Sequence, residues 1–223
     1  LPMPCLINNN LLGGYSMGIN IENNLPNINV SVNRTSNGDI SIVLKDSAAE
    51  TVNQRRLLDV PCGDTVMLGS REFIVLGHSD DTTAVLSKKA VKHMEFGATG
   101  DWCNSDVRNF CNGEFYQEMG NAIGRENIIP HTVKLMADDG TGKDLRCKDY
   151  ISILTADLYR RYRAHIPAMS DSWWLATRVT HEVSGYARNV CYVRSNGVLF
   201  WYDCDCSIGV RPFLILNSNI LVP

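Results

Sequence analysis

The 223-residue sequence predicts an α+β fold: a twisted antiparallel sheet carrying two helices, preceded by a small β-rich N-terminal segment. Three observations predict it. Apolar positions form short strand-like runs through residues 59–96, recur at three- and four-residue steps through 104–123, and return to strand-like runs after Trp173. Asn-Gly turns stand at Asn37-Gly38 and Asn196-Gly197, each between apolar runs, as in hairpins. A hydrophobic content of 44% with 20% charged residues is that of a globular chain able to bury a sizeable core.

Residues 1–58 differ in composition from the rest, with ten asparagines between Asn8 and Asn37. Alternation in Ile28-Asn29-Val30-Ser31-Val32 and Ile40-Ser41-Ile42-Val43-Leu44 predicts two paired strands across the Asn37-Gly38 turn. This part reads as a connector or oligomerisation segment, and residues 59–223 as the ligand-binding domain. Asn29-Val30-Ser31 and Asn33-Arg34-Thr35 fit the glycosylation pattern, as chance allows in an Asn-rich stretch. The opening Leu1-Pro2-Met3-Pro4 lacks the charged start and apolar run of a signal peptide, so the chain reads as a piece of a longer one.

Strands are expected over 64–69, 71–77 and 83–87, with a polar turn at Ser79-Asp80-Asp81. Ser105 is placed to cap a helix whose Val107, Phe110, Cys111, Phe115 and Met119 face the core. Thr155 is placed to cap a second helix near 155–164. Arg160, Arg161 and Arg163 near its end complement the macrodipole and read as a solvated helix end. Between the helices, Asp138-Asp139-Gly140-Thr141-Gly142 is a turn cluster. It lacks the Lys-Ser or Lys-Thr of a phosphate-binding loop and the alternating carboxylates of a calcium loop. A second hairpin joins Asn189–Arg194 to Val198–Trp201, and a closing strand runs from Val210 to Leu216.

The net charge of −3, with both signs interspersed, argues against a nucleic-acid footprint. No run approaches the about 20 apolar residues of a membrane helix, so no membrane insertion is expected. The eight cysteines read mostly as free, buried thiols. Cys204-x-Cys206 with only His181 nearby lacks the paired spacing of zinc sites, and no metal or cofactor is expected.

Asp101-Trp102-Cys103-Asn104-Ser105-Asp106-Val107-Arg108-Asn109-Phe110 resembles the helix-start signature W-x-x-S-x-[LIV]-R-x-[WF] of a bacterial and phage domain with a C-type-lectin-type fold. Asp149-Tyr150-Ile151, Ser172-Trp173-Trp174-Leu175-Ala176-Thr177, Val193-Arg194-Ser195-Asn196-Gly197 and Gly209-Val210-Arg211-Pro212-Phe213 follow in that family's order, so the likeness covers about residues 60–220. Within the family, the C-terminal section resembles the variable region of target proteins of diversity-generating retroelements. Their mutated AAC codons reach fifteen residue types but never Lys, Glu, Gln, Met or Trp. From Ser170 to Pro223 only Glu182, Trp173, Trp174 and Trp201 belong to those five types, where about eleven are expected. β-rich segments are also poor in Lys and Glu.

The resemblance implies a receptor-binding protein of a phage tail or virion, or a bacterial surface protein. Its partner would be a protein or glycan receptor on a host cell surface, and the phage relatives imply a homotrimer. Trp173, Trp174 and Arg211 would be framework. The ligand contacts would be Arg178, Val179, Thr180, His181, Tyr186, Arg188, Tyr202, Asp203, Asp205 and Ser207, with 178–188 and 202–207 converging on one exposed face. Tyr and Arg on a rigid frame suit binding hot spots. Three alternatives stand beside this reading. A structural virion protein of the same fold is one. An oxidase of the sulfatase-activating kind is another, but Cys204 and Cys206 have no evident neighbouring base. The third, a calcium-dependent sugar lectin, lacks its Glu-Pro-Asn or Gln-Pro-Asp triplet and its Trp-Asn-Asp.

Overall fold

The sequence alternation of Ile28–Val32 and Ile40–Leu44 corresponds to the first strand pair: β1 (Ile28–Arg34) pairs antiparallel with β2 (Ile40–Asp46), from Ile28↔Asp46 to Arg34↔Ile40. The computed structural model describes residues 28–34, 40–46 and 54–223, so the expected Asn37-Gly38 turn lies outside the described residues. The chain divides into two units, Leu1–Val52 and Asn53–Pro223. The second unit therefore begins before residue 59. The reason is local: β3 (Arg55–Arg56) pairs with β16 (Leu221–Val222), and the Leu57 side chain is fully buried.

The second unit is α+β, with two five-stranded sheets where the sequence predicted one. The first contains β4 (Thr65–Leu68), β5 (Arg71–His78), β6 (Thr82–Ser87), β10 (Ile151–Ile153) and β15 (Pro212–Asn217), in the order β10-β15-β6-β5-β4. The second contains β7 (Lys92–Met94), β11 (Trp173–Arg178), β12 (Asn189–Val193), β13 (Leu199–Asp203) and β14 (Ile208–Val210), in the order β13-β12-β11-β14-β7. A hairpin of β8 (His131–Lys134) and β9 (Arg146–Asp149) stands apart. Pairing is antiparallel except between β11 and β14, which run parallel at Trp173↔Gly209.

The expected closing strand is split, and the split makes the second sheet. Arg211 stands between β14 and β15 with no exposed surface. Its Nε donates to the Ser87 carbonyl at 2.9 Å and its Nη2 to the Lys88 carbonyl at 3.2 Å, while the guanidinium lies 4.6 Å from the Trp173 ring centroid. These contacts turn the chain, so that Ile208–Val210 joins one sheet and Pro212–Asn217 the other. Burial lowers the Arg211 pKa to about 10.

The first helix is continuous over residues 106–123: α1 (Asp106–Phe110), a π turn (Cys111–Phe115) and α2 (Tyr116–Ile123). Ser105 Oγ caps it, accepting from the Arg108 amide at 3.0 Å. Val107, Cys111, Phe115 and Met119 are all buried. A strict four-residue spacing runs ahead of a 3.6-residue turn, and the wider π turn takes up the drift, keeping these four on one face. Asn112 within the π turn docks the helix on the sheet, donating to the Ile151 carbonyl and accepting from the Tyr150 and Ile151 amides. The second helix, α3 (Ala156–Tyr162), is capped by Thr155 Oγ1, which accepts from the Leu158 amide at 3.2 Å.

Asp149 explains the helix-start signature. One of its buried carboxylate oxygens accepts from Trp102 Nε1 at 2.8 Å, and the other from Arg108 Nε at 2.7 Å. The same clamp lays Cys103 beside Cys147 with their Cα atoms 6.3 Å apart, and the two form a disulfide. The other described cysteines are free, so the expectation of mostly free thiols holds with this one pair as the exception. Cys111, Cys191 and Cys204 are free and buried, Cys62 is free and exposed, Cys206 is free and half-buried, and Cys5 lies outside the described residues.

Adjacent residues on β11 point to opposite faces and anchor separate cores. Trp174 belongs to the core of Phe96, Trp102, Val107 and Phe115; Trp173 belongs to that of Tyr159, Leu175 and Phe213.

Candidate functional site

The predicted site residues lie where β11 ends, β12 begins and β13 ends. The Cys204 amide donates to the Arg188 carbonyl at 2.9 Å, and the Val179 amide to the Asn189 carbonyl at 3.0 Å. Segments 178–188 and 202–207 are thereby brought together at one end of the hairpin. The Asn196-Gly197 turn closes the other end, with Gly197 at a φ of +80° that favours glycine.

Arg188 ties three segments at this end. Its Nε and Nη2 donate to Asp203 at 3.1 and 2.8 Å, Nη2 also to Asp205 at 3.0 Å, and Nη1 to the Ala98 carbonyl at 3.0 Å. The Arg188 guanidinium holds the Asp203 carboxyl below the usual carboxylate range. Arg188, Asp203 and Asp205 are therefore partners of one another. Ser207 is exposed beside them.

Four expected contacts are not freely exposed. The Thr180 side chain is buried, and its Oγ1 accepts from the Glu182 and Val183 amides at 3.1 and 3.4 Å. Arg178 is half-buried and spans the neck of the loop, Nη2 donating to the Ala187 carbonyl at 2.7 Å. Half-buried His181 has Nε2 3.0 Å from the Leu135 carbonyl, and its amide donates to Thr141 Oγ1 at 2.9 Å. Val179 is half-buried as well. The reason is shared: the turn cluster 138–142 lies along this segment, the Asp138 and Asp139 amides donating to the Arg178 and Val179 carbonyls. These residues brace the loop from beneath.

Much of what the loop and hairpin present outward is apolar. Val183, Tyr186, Val198, Phe200, Trp201 and Tyr202 are each between 41% and 53% exposed. Tyr186 meets the Trp201 ring edge-on at 5.7 Å, Phe200 stacks on Trp201 at 5.7 Å, and the Arg194 guanidinium lies 4.0 Å from the Phe200 centroid. Tyr186 and Tyr202 were among the predicted contacts; Val183, Val198, Phe200 and Trp201 were not. The available signal was the unbroken apolar run Val198–Tyr202, which has no polar alternation to mark an inner face.

No family model, curated protein or solved structure matches this chain.

Two clefts, of about 570 and 600 Å³, lie beside Leu68, Ile123 and Leu221, and beside Gly63 and Ile166, lined by residues other than those of the patch. Burial raises the thiol pKa of Cys204 and of Cys206, with neighbouring carboxylates acting in the same direction. Such thiols are less nucleophilic than ordinary ones at neutral pH. Among the described residues no three His, Cys, Asp or Glu side chains are grouped to hold a metal ion.

Proposed function

We propose that this chain is a ligand-binding protein of the C-type-lectin-type fold. It recognises a receptor on a host cell through its C-terminal hairpin and the adjoining 179–188 loop. One observation carries the reading: six large apolar side chains, three of them consecutive aromatics on the two faces of β13, are exposed on one braced loop and hairpin. Contiguous exposed apolar surface marks interaction sites, and Trp, Tyr and Arg dominate their energetics. Tyr186, Phe200, Trp201 and Tyr202 are the contact residues, with Asp205 and Ser207 at the rim. Arg178, Thr180 and His181 pre-organise the loop, which lowers the entropic penalty of binding.

The chain belongs on a phage tail or a bacterial surface, where a retroelement diversifies residues 170–216. The residue depletion of that section supports this, and the Cys103–Cys147 disulfide fits an oxidising exterior. Two measurements test the reading. The flanking DNA is expected to hold a near-repeat of codons 170–216 differing at adenines. Fluorescently labelled chain is expected to bind some members of a panel of intact bacteria, and Trp201→Ala to lose that binding with its melting temperature retained. Binding unchanged in Trp201→Ala would sink the assignment.

A further inference from the structure

We propose that β13 accepts an added strand: an extended segment of a protein partner pairs antiparallel with its open edge as the sixth strand of the sheet. This rests on the recognition reading above and narrows the ligand to polypeptide.

The backbone supplies the first argument. The Arg194 amide donates to the Val198 carbonyl, and the Cys204 amide to the Arg188 carbonyl, each at 2.9 Å. Between them the register runs unbroken from Val193↔Leu199 to Asn189↔Asp203. In an antiparallel ladder, hydrogen-bonded and non-bonded pairs alternate. Phe200 and Tyr202 therefore bond inward to β12, and the amides of Leu199, Trp201 and Asp203 point outward. The Leu199 and Trp201 carbonyls point the same way, while the Asp203 carbonyl turns back to the Cys206 amide at 3.2 Å. Among the described residues no strand pairs with this edge.

The opposite edge of the same sheet is guarded. β7 has three residues, and its Lys92 lies 3.5 Å from Glu114. Short length and lysine are the usual defences of an edge. β13 carries no Lys, no Pro and no bulge. It instead places aromatic surface on both faces: Phe200 and Tyr202 beside Tyr192, each at 6.3 Å, and Trp201 beside Tyr186. An added strand would gain ladder bonds from the edge, and its alternate side chains would pack on these rings.

Charge sets the direction. At the turn end stands Arg194, its Nε donating to Tyr192 Oη at 3.2 Å, with no carboxylate in salt-bridge reach among the described residues. At the far end Asp203 and Asp205 share Arg188, leaving one negative charge in excess. The complementary antiparallel segment has a basic residue at its N-terminal end, beside Asp205, and an acidic residue at its C-terminal end, beside Arg194.

The test is selection of short peptides of random sequence against the immobilised chain, followed by amide hydrogen exchange. Enriched peptides are expected to alternate apolar residues between a basic N-terminal and an acidic C-terminal end. Adding one is expected to slow exchange at Leu199, Trp201 and Asp203. Trp201→Pro, which removes an outward amide and none of the bonds to β12, is expected to weaken the peptide at least about ten-fold relative to Trp201→Ala. No enrichment, or enriched peptides that leave the three amides unprotected, overturns strand addition. If Trp201→Ala still abolishes cell binding in that case, the recognition reading survives without it. Cell binding unchanged in Trp201→Ala overturns the recognition reading itself.

Discussion

β11 and β13 lie in one sheet with a single strand between them, and both are rich in aromatics. Trp173-Trp174-Leu175-Ala176-Thr177 is buried throughout, whereas Phe200, Trp201 and Tyr202 are exposed. β11 is covered on both faces: Trp173 meets Tyr159 edge-on at 5.5 Å, and Trp174 meets Phe96 at 5.6 Å and donates to the Met94 carbonyl. β13 has neighbours on its inner side and at the Tyr186 contact. Composition makes a strand sticky; its place in the sheet decides whether the fold or a partner uses that stickiness.

Substitutions sharpen this contrast. Trp174→Ala is expected to destabilise by about 3–5 kcal/mol, the range for truncating a buried aromatic, measured by chemical denaturation. A melting temperature unchanged by it would break the contrast at its buried end. Next in size is Cys103→Ser with Cys147→Ser, which opens a cross-link of sequence separation 44. Its loss is expected to remove about 2–4 kcal/mol, seen as a lower unfolding midpoint than in the oxidised chain. Tyr202→Ala is expected to change stability by no more than about 0.5 kcal/mol, as surface changes do, while weakening cell binding. A large loss of stability would make β13 part of the core.

The smallest effect concerns Arg188. Because it depresses the Asp203 pKa, the stabilisation from their contact is complete above the ordinary carboxylate range and is lost as pH falls through the depressed value. An NMR titration should place the Asp203 midpoint below that of a free aspartate, and Arg188→Ala should return it. A midpoint unmoved by the substitution would show that Arg188 does not hold the turn.

Much of the fold was legible because its signals are local. Ser105 and Thr155 cap the helices they announced, β1 pairs with β2 as their alternation indicated, and β12 pairs with β13 across the Asn196-Gly197 turn as turn chemistry indicated. Buried Trp173, Trp174 and Arg211 were legible as framework by resemblance alone. The division into two sheets was hidden, since it depends on carbonyls at Ser87 and Lys88, far in sequence from Arg211. The Cys103–Cys147 bond was hidden for the same reason: the two cysteines meet where Asp149 of β9 holds Trp102 and Arg108, a contact distant in sequence. The site was half legible. Convergence of 178–188 with 202–207 follows from hairpin geometry, but the burial of Thr180 follows from a loop 40 residues upstream, as in the Thr141 to His181 contact. Phe200 and Trp201 escaped notice because an apolar run reads alike at the centre and at the edge of a sheet.

The placement of β15 has a consequence for synthesis. Pro212–Asn217 lies inside the first sheet, between β10 and β6, and not at its rim. A ribosome delivers residues 65–87 and 151–153 long before the strand that joins them. Until then β10 has no partner in that sheet, and the 178–207 segment emerges within that interval. Changes of sequence in this segment therefore act on a chain whose first sheet is still open. Variants there face a test of assembly first, and residues 212–217 close that window.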